Sequence, residues 1–351
     1  MTPERYVAIL VTSRVQRAYE TTIKSAELNQ KILAFREAIE DPHTDPLPTA
    51  QELYRILIPE AFAGDLKQAR AETLMWSLDG PLRYVPVAAL HDGKQYLIEK
   101  YRTVVFTPAS NARLKEVPQT KWRGVAFGVT EAHPGFDPLP GVSEELRGIV
   151  REKPGENGVL DGRRLLDAQF TRVSLDRELA IGYPVVHVAS HFQFRPGDET
   201  RSFLLLGDGG QLTLADLKSA DVIFAGVDLL TLSACSTGLG GVKNSDGSEV
   251  EGFGVLAQRK GAKSVIASLW PVADASTGLL MQEFYRIRQS DSKLTKIDAL
   301  RRAQLRLLNG GIKPGGVEGD RGVKVTHEGE RARNYRHPYY WAPFFLMGNW
   351  L

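Results

Sequence analysis

From Gly124 onward the chain is built on short, almost wholly apolar runs. Gly124-Val-Ala-Phe-Gly-Val-Thr, Val185-Val-His-Val-Ala, Leu229-Leu-Thr-Leu-Ser and Ser264-Val-Ile-Ala-Ser-Leu are bounded by polar or turn residues and rich in β-branched side chains, which marks them as strands buried on both faces. Between them, residues 142–153, 174–181, 213–219, 251–260 and 277–289 carry helical spacing. Strand and helix in alternation require crossover connections, so the expected fold is α/β, with a mostly parallel central sheet flanked by helices.

The first third is less regular. Residues 4–12 read as an opening strand, and Val15 to Glu40 as one long amphipathic helix on the spacing of Ala18, Ile23, Ala26, Ile32, Leu33 and Ile39. Asp41-Pro-His-Thr-Asp-Pro-Leu-Pro then breaks it, because three prolines in eight residues cannot continue a helix. Residues 1–48 are thus expected to form an N-terminal strand, helix and Pro-rich linker. Thr49, with Glu52 three positions on, predicts a capped helix running to Leu57. Residues 72–78, 82–90 and 96–106 read as strands separated by the turns at Asp79-Gly80 and Asp92-Gly93. Ser143 is expected to cap the helix that follows Gly141. The Gly-rich, charged stretch from Asn309 to Arg333 offers few residues to bury and is expected to be a mobile insertion. The aromatic run His337-Pro-Tyr-Tyr-Trp-Ala-Pro-Phe-Phe-Leu is expected to seal the core as a last strand.

Composition excludes several classes. With 44 Lys and Arg against 42 Asp and Glu the net charge is +2, so no bulk field favours nucleic acid or an anionic membrane. No apolar stretch is long enough to span a bilayer and the N-terminus lacks a signal-like pattern, which predicts a cytoplasmic protein. A single cysteine makes no internal disulfide and no Cys-rich zinc site.

That cysteine, Cys235, ends the run that starts at Leu229, and His191 ends the run that starts at Val185. In a parallel sheet the carboxyl ends of neighbouring strands overlook one crevice. A thiol at one strand end and an imidazole at another are the parts of thiol hydrolysis, in which the base takes the thiol proton and the thiolate attacks a carbonyl carbon. Free cysteines are commonly inert core residues, but Ser236-Thr-Gly-Leu-Gly-Gly after Cys235 leaves room for an acyl group. His187 would share a face with His191 if the strand ran through both, and is assigned to the core or to a supporting position. A metal reading of the two is weak, since the i, i+4 metal motif needs a helix and a further ligand. No metal or cofactor is expected.

Asp246, Glu249 and Glu251 follow the thiol and could receive a basic substrate side chain. For Glu251 in particular, the alternative of acids favoured at a helix N-terminus is the stronger one. Gly261-Ala-Lys-Ser lacks the glycine spacing of a P-loop and supports no nucleotide site.

Val186-His-Val-Ala-Ser-His-Phe, Leu229-Leu-Thr-Leu-Ser-Ala-Cys-Ser-Thr-Gly-Leu-Gly, Gly261-Ala-Lys-Ser-Val-Ile-Ala-Ser-Leu-Trp-Pro-Val-Ala-Asp and the closing aromatic run, together with Asp79-Gly-Pro-Leu-Arg-Tyr-Val-Pro upstream, resemble the CHAT domain. That family is grouped with caspase, separase and gingipain-type cysteine proteases. The resemblance implies a caspase-like three-layer sandwich over residues 49–351, with 49–130 as an N-terminal subregion and 131–351 carrying a His191–Cys235 dyad. It implies a cysteine endopeptidase acting through a thioester, latent until a protein partner activates it. It further implies an oxyanion hole from the backbone N–H groups of Phe192 and Cys235. Relatives often carry tetratricopeptide repeats upstream, and this chain shows no such array. Where the family usually has glycine after the histidine, this chain has Phe192. That departure keeps open a non-catalytic caspase-like interaction module, and a small-molecule acyl transferase or amidohydrolase built on the same dyad is a third reading.

Overall fold

The computed structural model describes residues 4–195, 198–220, 223–236, 248–270, 274–313, 316–317 and 335–351, with the backbone alone described at 234–236, 248–251, 274, 313 and 316–317. The acid Asp246 and most of the expected insertion between Asn309 and Arg333 lie outside the described residues.

The chain opens with an antiparallel hairpin, β1 (Arg5–Val11) and β2 (Gln16–Thr22). The helix expected from Val15 therefore starts only at Ser25. The correction has a local cause: Thr12 Oγ1 accepts from the N–H groups of Arg14 and Val15 and closes a turn, and Tyr19, Thr21 and Thr22 favour the extended state. Helix α1 (Ser25–Glu40) buries Leu28, Ile32, Phe35 and Ile39. Helix α2 (Leu47–Leu57) takes Pro48 into its first turn, where a missing N–H is harmless. It thus begins before Thr49, which is not its cap; the Thr49 hydroxyl donates back to the carbonyl of Pro46. Helix α3 (Glu60–Gln68) and strand β3 (Thr73–Trp76) follow.

Residues 82–90, expected as a strand, form two 3₁₀ turns, Gly80–Tyr84 and Val87–Ala89. Pro81 and Pro86 cannot donate to a ladder, which outweighs the apolar character of the segment. The strand expected from Tyr96 begins with a helical turn, α4 (Leu97–Lys100), because Glu99 bonds back to the Tyr96 N–H; only β4 (Arg102–Val105) is extended.

The α/β core then proceeds through β5 (Arg123–Gly128), α5 (Val142–Ile149), β6 (Val150–Arg151), β7 (Leu160–Leu166), α6 (Arg172–Ile181), β8 (Val185–Gln193), β9 (Phe203–Leu205), β10 (Gln211–Thr213), α7 (Leu214–Ser219), β11 (Leu229–Ser236), α8 (Ser248–Arg259), β12 (Ser264–Ser268), α9 (Asp274–Ser290), α10 (Lys296–Leu308), β13 (Ile312–Lys313), β14 (Gly316–Val317), α11 (Pro338–Trp341) and β15 (Phe344–Gly348). Helix α5 ends earlier than Lys153, and its cap is Gly141, with no side-chain bond from Ser143. Ile312, inside the expected insertion, is buried in the small β13–β14 pairing.

The main sheet runs β3-β4-β15-β12-β11-β8-β5-β7-β6, with the β9–β10 hairpin attached to β8. β12, β11, β8, β5, β7 and β6 are parallel to one another, and β15, β4 and β3 form a second parallel block. The blocks meet antiparallel where β12 pairs β15. Helices α5, α9 and α10 cover one face, packing Leu146, Ile149, Leu280, Phe284 and Leu300 on Ala126, Val185 and Ala189. Helices α6, α7 and α8 cover the other, packing Leu175, Leu217 and Phe253 on Phe127, Val186 and Val188. The expected α/β sandwich with a mostly parallel central sheet is what forms, and the aromatic C-terminal run does supply its last strand.

Candidate active site

After β5 the chain goes to the β6 edge of the sheet, whereas after β8 and the β9–β10 hairpin it continues on the opposite side, through β11 and β12. The point where connections diverge leaves a crevice beyond the strand ends, the usual place for a site in a parallel sheet. β5 stops at Gly128, level with Ala189 of β8, whereas β8 continues to Gln193. Beyond that level β9 takes the place of β5 beside β8, with Ser190 donating to the carbonyl of Leu205.

β8 and β11 are paired in parallel register from Leu229 opposite Val185 to Ser236 opposite Phe192. In this register Cys235 stands opposite His191. Adjacent strands lie about 4.8 Å apart, so the two backbone positions are immediate neighbours at the strand tips.

His191 is 7% exposed. The loop between β5 and α5 lies over it: the Phe136 ring sits 5.1 Å from the imidazole, and the Asp137 carbonyl is 2.8 Å from Nε2. A carbonyl only accepts, so Nε2 donates and the lone pair of the neutral ring lies on Nδ1. The loop is itself held by Asp167, whose carboxylate accepts from the Thr130 N–H and hydroxyl, both at 2.6 Å, and from the Glu131 N–H. Asp167 adopts a left-handed backbone, φ 47°, a conformation that Asp tolerates better than most residues. Neither Asp137 nor Asp167 stands out in the sequence. A backbone carbonyl leaves no side-chain signature, and Asp167 acts across the fold.

β8 runs through both histidines, so His187 and His191 share the face toward α5 and α9. His187 is fully buried. Its Nε2 lies 3.0 Å from Oε1 of Glu145 and its Nδ1 3.2 Å from the Tyr285 hydroxyl, which lies 2.7 Å from Oγ1 of Thr231. Burial pushes the Tyr285 phenol well above its ordinary range; the Thr231 hydrogen bond opposes this and the Glu145 charge adds to it. Phe192 turns to the opposite face and packs edge-on against Phe253 at 5.6 Å between ring centres. Its backbone lies within β8, paired with Ser236 on one side and Leu204 on the other.

Glu249 and Glu251 lie in the first turn of α8, which follows β11 in the chain. A small, mainly apolar cleft lined by Leu78, Arg83, Val87, Leu269, Phe344 and Phe345 opens near the β12–β15 junction. Its lining contains neither an imidazole nor a thiol. Among the described residues no group of three His, Cys, Asp or Glu side chains could hold a metal ion, and no helix is long and apolar enough to cross a membrane.

Among solved structures the chain is similar to the Arg-specific cysteine proteinase gingipain R (RGPB), with 10% identity, 93% of this chain and 74% of that one covered, and a TM-score of 0.46. It is similar also to the complex of Porphyromonas gingivalis RgpB pro- and mature domains, with 9% identity, 93% and 76% covered, and a TM-score of 0.48. Both scores are below 0.5, and the fold assignment rests on the sheet order above. No curated protein matches the chain. The CHAT domain matches residues 47–349, from the start of α2 to the end of the last strand, taking in both strand tips. With the sheet, the paired tips and that match in hand, the chain belongs to the CHAT domain family.

Proposed function

We propose that this protein is a cysteine endopeptidase with His191 as base and Cys235 as nucleophile. The observation that carries the reading is the register of β8 and β11, which makes the two backbone positions neighbours at the end of the sheet where crevices form. The Asp137 carbonyl supports it further, because it leaves Nδ1 of His191 as the proton acceptor.

In this mechanism Nδ1 takes the Cys235 proton and the thiolate attacks the scissile carbonyl carbon. The oxyanion is held by backbone N–H groups at Phe192 and Cys235, the former once freed from the strand pairing that flanks β8 at this level. The intermediate collapses, the C–N bond breaks, and the amine leaves with the proton returned by His191. Water, deprotonated by the same imidazole, then attacks the thioester and releases the acid and the thiol. Removing one oxyanion donor in such sites typically costs about 10²–10³ in rate. The packing of the Phe192 ring against Phe253 holds that side chain on the face of the sheet opposite His191. Asp246, Glu249 and Glu251 follow β11 in the chain and are proposed to favour a basic substrate side chain, and a protein partner is proposed to activate the enzyme.

The test is hydrolysis of a mixed peptide library by the wild type and by Cys235→Ala, with and without cell extract as a source of activator. A chloromethyl ketone probe is applied in parallel at neutral pH. Hydrolysis lost in Cys235→Ala, with labelling confined to Cys235, supports the reading. Hydrolysis that survives the substitution refutes the mechanism. An unlabelled thiol with no hydrolysis favours the interaction module.

A further inference from the structure

We propose that Glu145, His187 and Tyr285 form a buried positioning network that sets the His191 imidazole, an inference that rests on reading His191 as the base. The network lies between the sheet and helices α5 and α9, in a layer otherwise filled by Leu146, Ile149, Leu280 and Phe284. Glu145 is 3% exposed, and His187, Tyr285 and Thr231 are fully buried. Replacing such buried polar groups with apolar ones of similar shape is often neutral or stabilising, so stability alone does not call for them. What hydrogen bonds add over apolar packing is fixed length and direction.

The donors and acceptors close into one chain. With His187 as a neutral ring, Nε2 donates to the Glu145 carboxylate, so Nδ1 accepts from the Tyr285 hydroxyl and Tyr285 in turn accepts from Thr231. Each member sits on a different element. His187 is on β8, four residues before His191, or about 13 Å along the strand. Thr231 is on β11 at the rung opposite His187, and the same register continues to the rung of His191 and Cys235. Glu145 is in the first turn of α5, directly after the loop whose Asp137 carbonyl holds Nε2 of His191. Tyr285 is on α9, which approaches α5 closely at Gly278 and Gly148: a Cβ at Gly278 would touch Glu145 at 3.4 Å, and one at Gly148 would strike the Gln282 side chain. One imidazole thereby locks the β8–β11 register and fixes where the β5–α5 loop lands. A slip of one residue would turn His191 to the other face of the sheet, and a displaced loop would release its tautomer.

The experiment compares wild type, Glu145→Ala, Glu145→Gln and Tyr285→Phe, first checking folding by circular dichroism and thermal midpoint. The primary readout is nitrogen NMR of the His191 ring. The Nε2–H tautomer with a slowly exchanging proton is expected in the wild type. In Glu145→Ala we expect a mixture of tautomers and exchange at least about tenfold faster, with Glu145→Gln restoring the wild-type signal because its amide oxygen still accepts from His187. Tyr285→Phe keeps the ring volume and is expected to show a smaller shift in the same direction, so it decides the matter if Glu145→Ala fails to fold. A folded Glu145→Ala or Tyr285→Phe protein whose His191 signals match the wild type overturns the proposal. The second readout is peptide hydrolysis, where a misplaced base is expected to lower kcat by up to about 10²-fold with KM little changed. Absence of hydrolysis and of Cys235 labelling in the wild type would count against the protease reading, while the NMR comparison still decides the positioning role.

Discussion

Lys296 is fully buried, with Nζ 3.3 Å from Oδ2 of Asp228, which also accepts from the Trp122 indole. Burial pulls its ammonium down to about 8, against the opposing pull of Asp228. Below that value the group is charged in both folded and unfolded chains, and the folded state carries the desolvation cost. As pH rises from about 8 toward the unfolded value near 10.4 the unfolded chain binds more protons, so this group makes stability rise with pH. Tyr6, Tyr54 and Tyr96, pushed up to about 12, oppose the rise above about pH 10. Urea unfolding at pH 7.5, 8.5 and 9.5 is expected to show a gain of about 2 kcal/mol across that range from this group, and Lys296→Met is expected to flatten the slope. At this scale the sequence displayed the two candidate reactive groups, because Cys235 and His191 each end an apolar run. It could not display what holds them. Glu145 and Tyr285 read as ordinary helix residues until α5 and α9 bring them to opposite nitrogens of His187.

Glycines report how closely elements approach. Gly162 of β7 stands opposite Gly124 of β5, and a Cβ on Gly162 would come within 1.6 Å of the Gly124 carbonyl oxygen. Gly162→Ala must therefore push two strands apart, and a loss of about 1–3 kcal/mol or more is expected in chemical denaturation. Gly64, exposed in the interior of α3, has nothing within 4 Å of its Cβ position. Gly64→Ala is expected to stabilise by about 0.5–1 kcal/mol, because it lowers the entropy lost on helix formation. Elements were legible where a run was buried on both faces, as in β5, β8, β11 and β12. They were illegible where local hydrogen bonding overrode periodicity, as in the Thr12 turn that makes β2 a strand, or where Pro81 and Pro86 make apolar residues turn. β7 escaped notice because Asp161, Arg163 and Arg164 interrupt its apolar pattern, with Arg163 paired to the buried Glu178.

Across the molecule, the segment before the matched family region is part of the same core. Phe35 and Ile39 of α1 are fully buried. Arg36 lies between the rings of Tyr84 and Trp270, 5.5 and 5.3 Å from their centres, and donates at 2.6 Å to the Leu269 carbonyl just past β12. Phe35→Ala is expected to cost about 3–5 kcal/mol, and a chain starting at Leu47 is expected to melt lower and aggregate, which light scattering during a thermal ramp would detect. The parallel character of the sheet was readable from alternating runs. The reversal at β12 and β15 was not, because nothing in an apolar strand records the direction of its neighbour. That reversal bears on how the protein is made. β15 fills the gap between β4 and β12, yet a ribosome delivers Phe344–Gly348 after every other strand. Until it arrives, the nascent sheet exposes two facing unmatched rims, which are sticky toward other chains. Closure then joins positions separated by most of the polypeptide, the kind of contact that slows folding, so the growing chain has reason to depend on chaperones until its final strand has inserted.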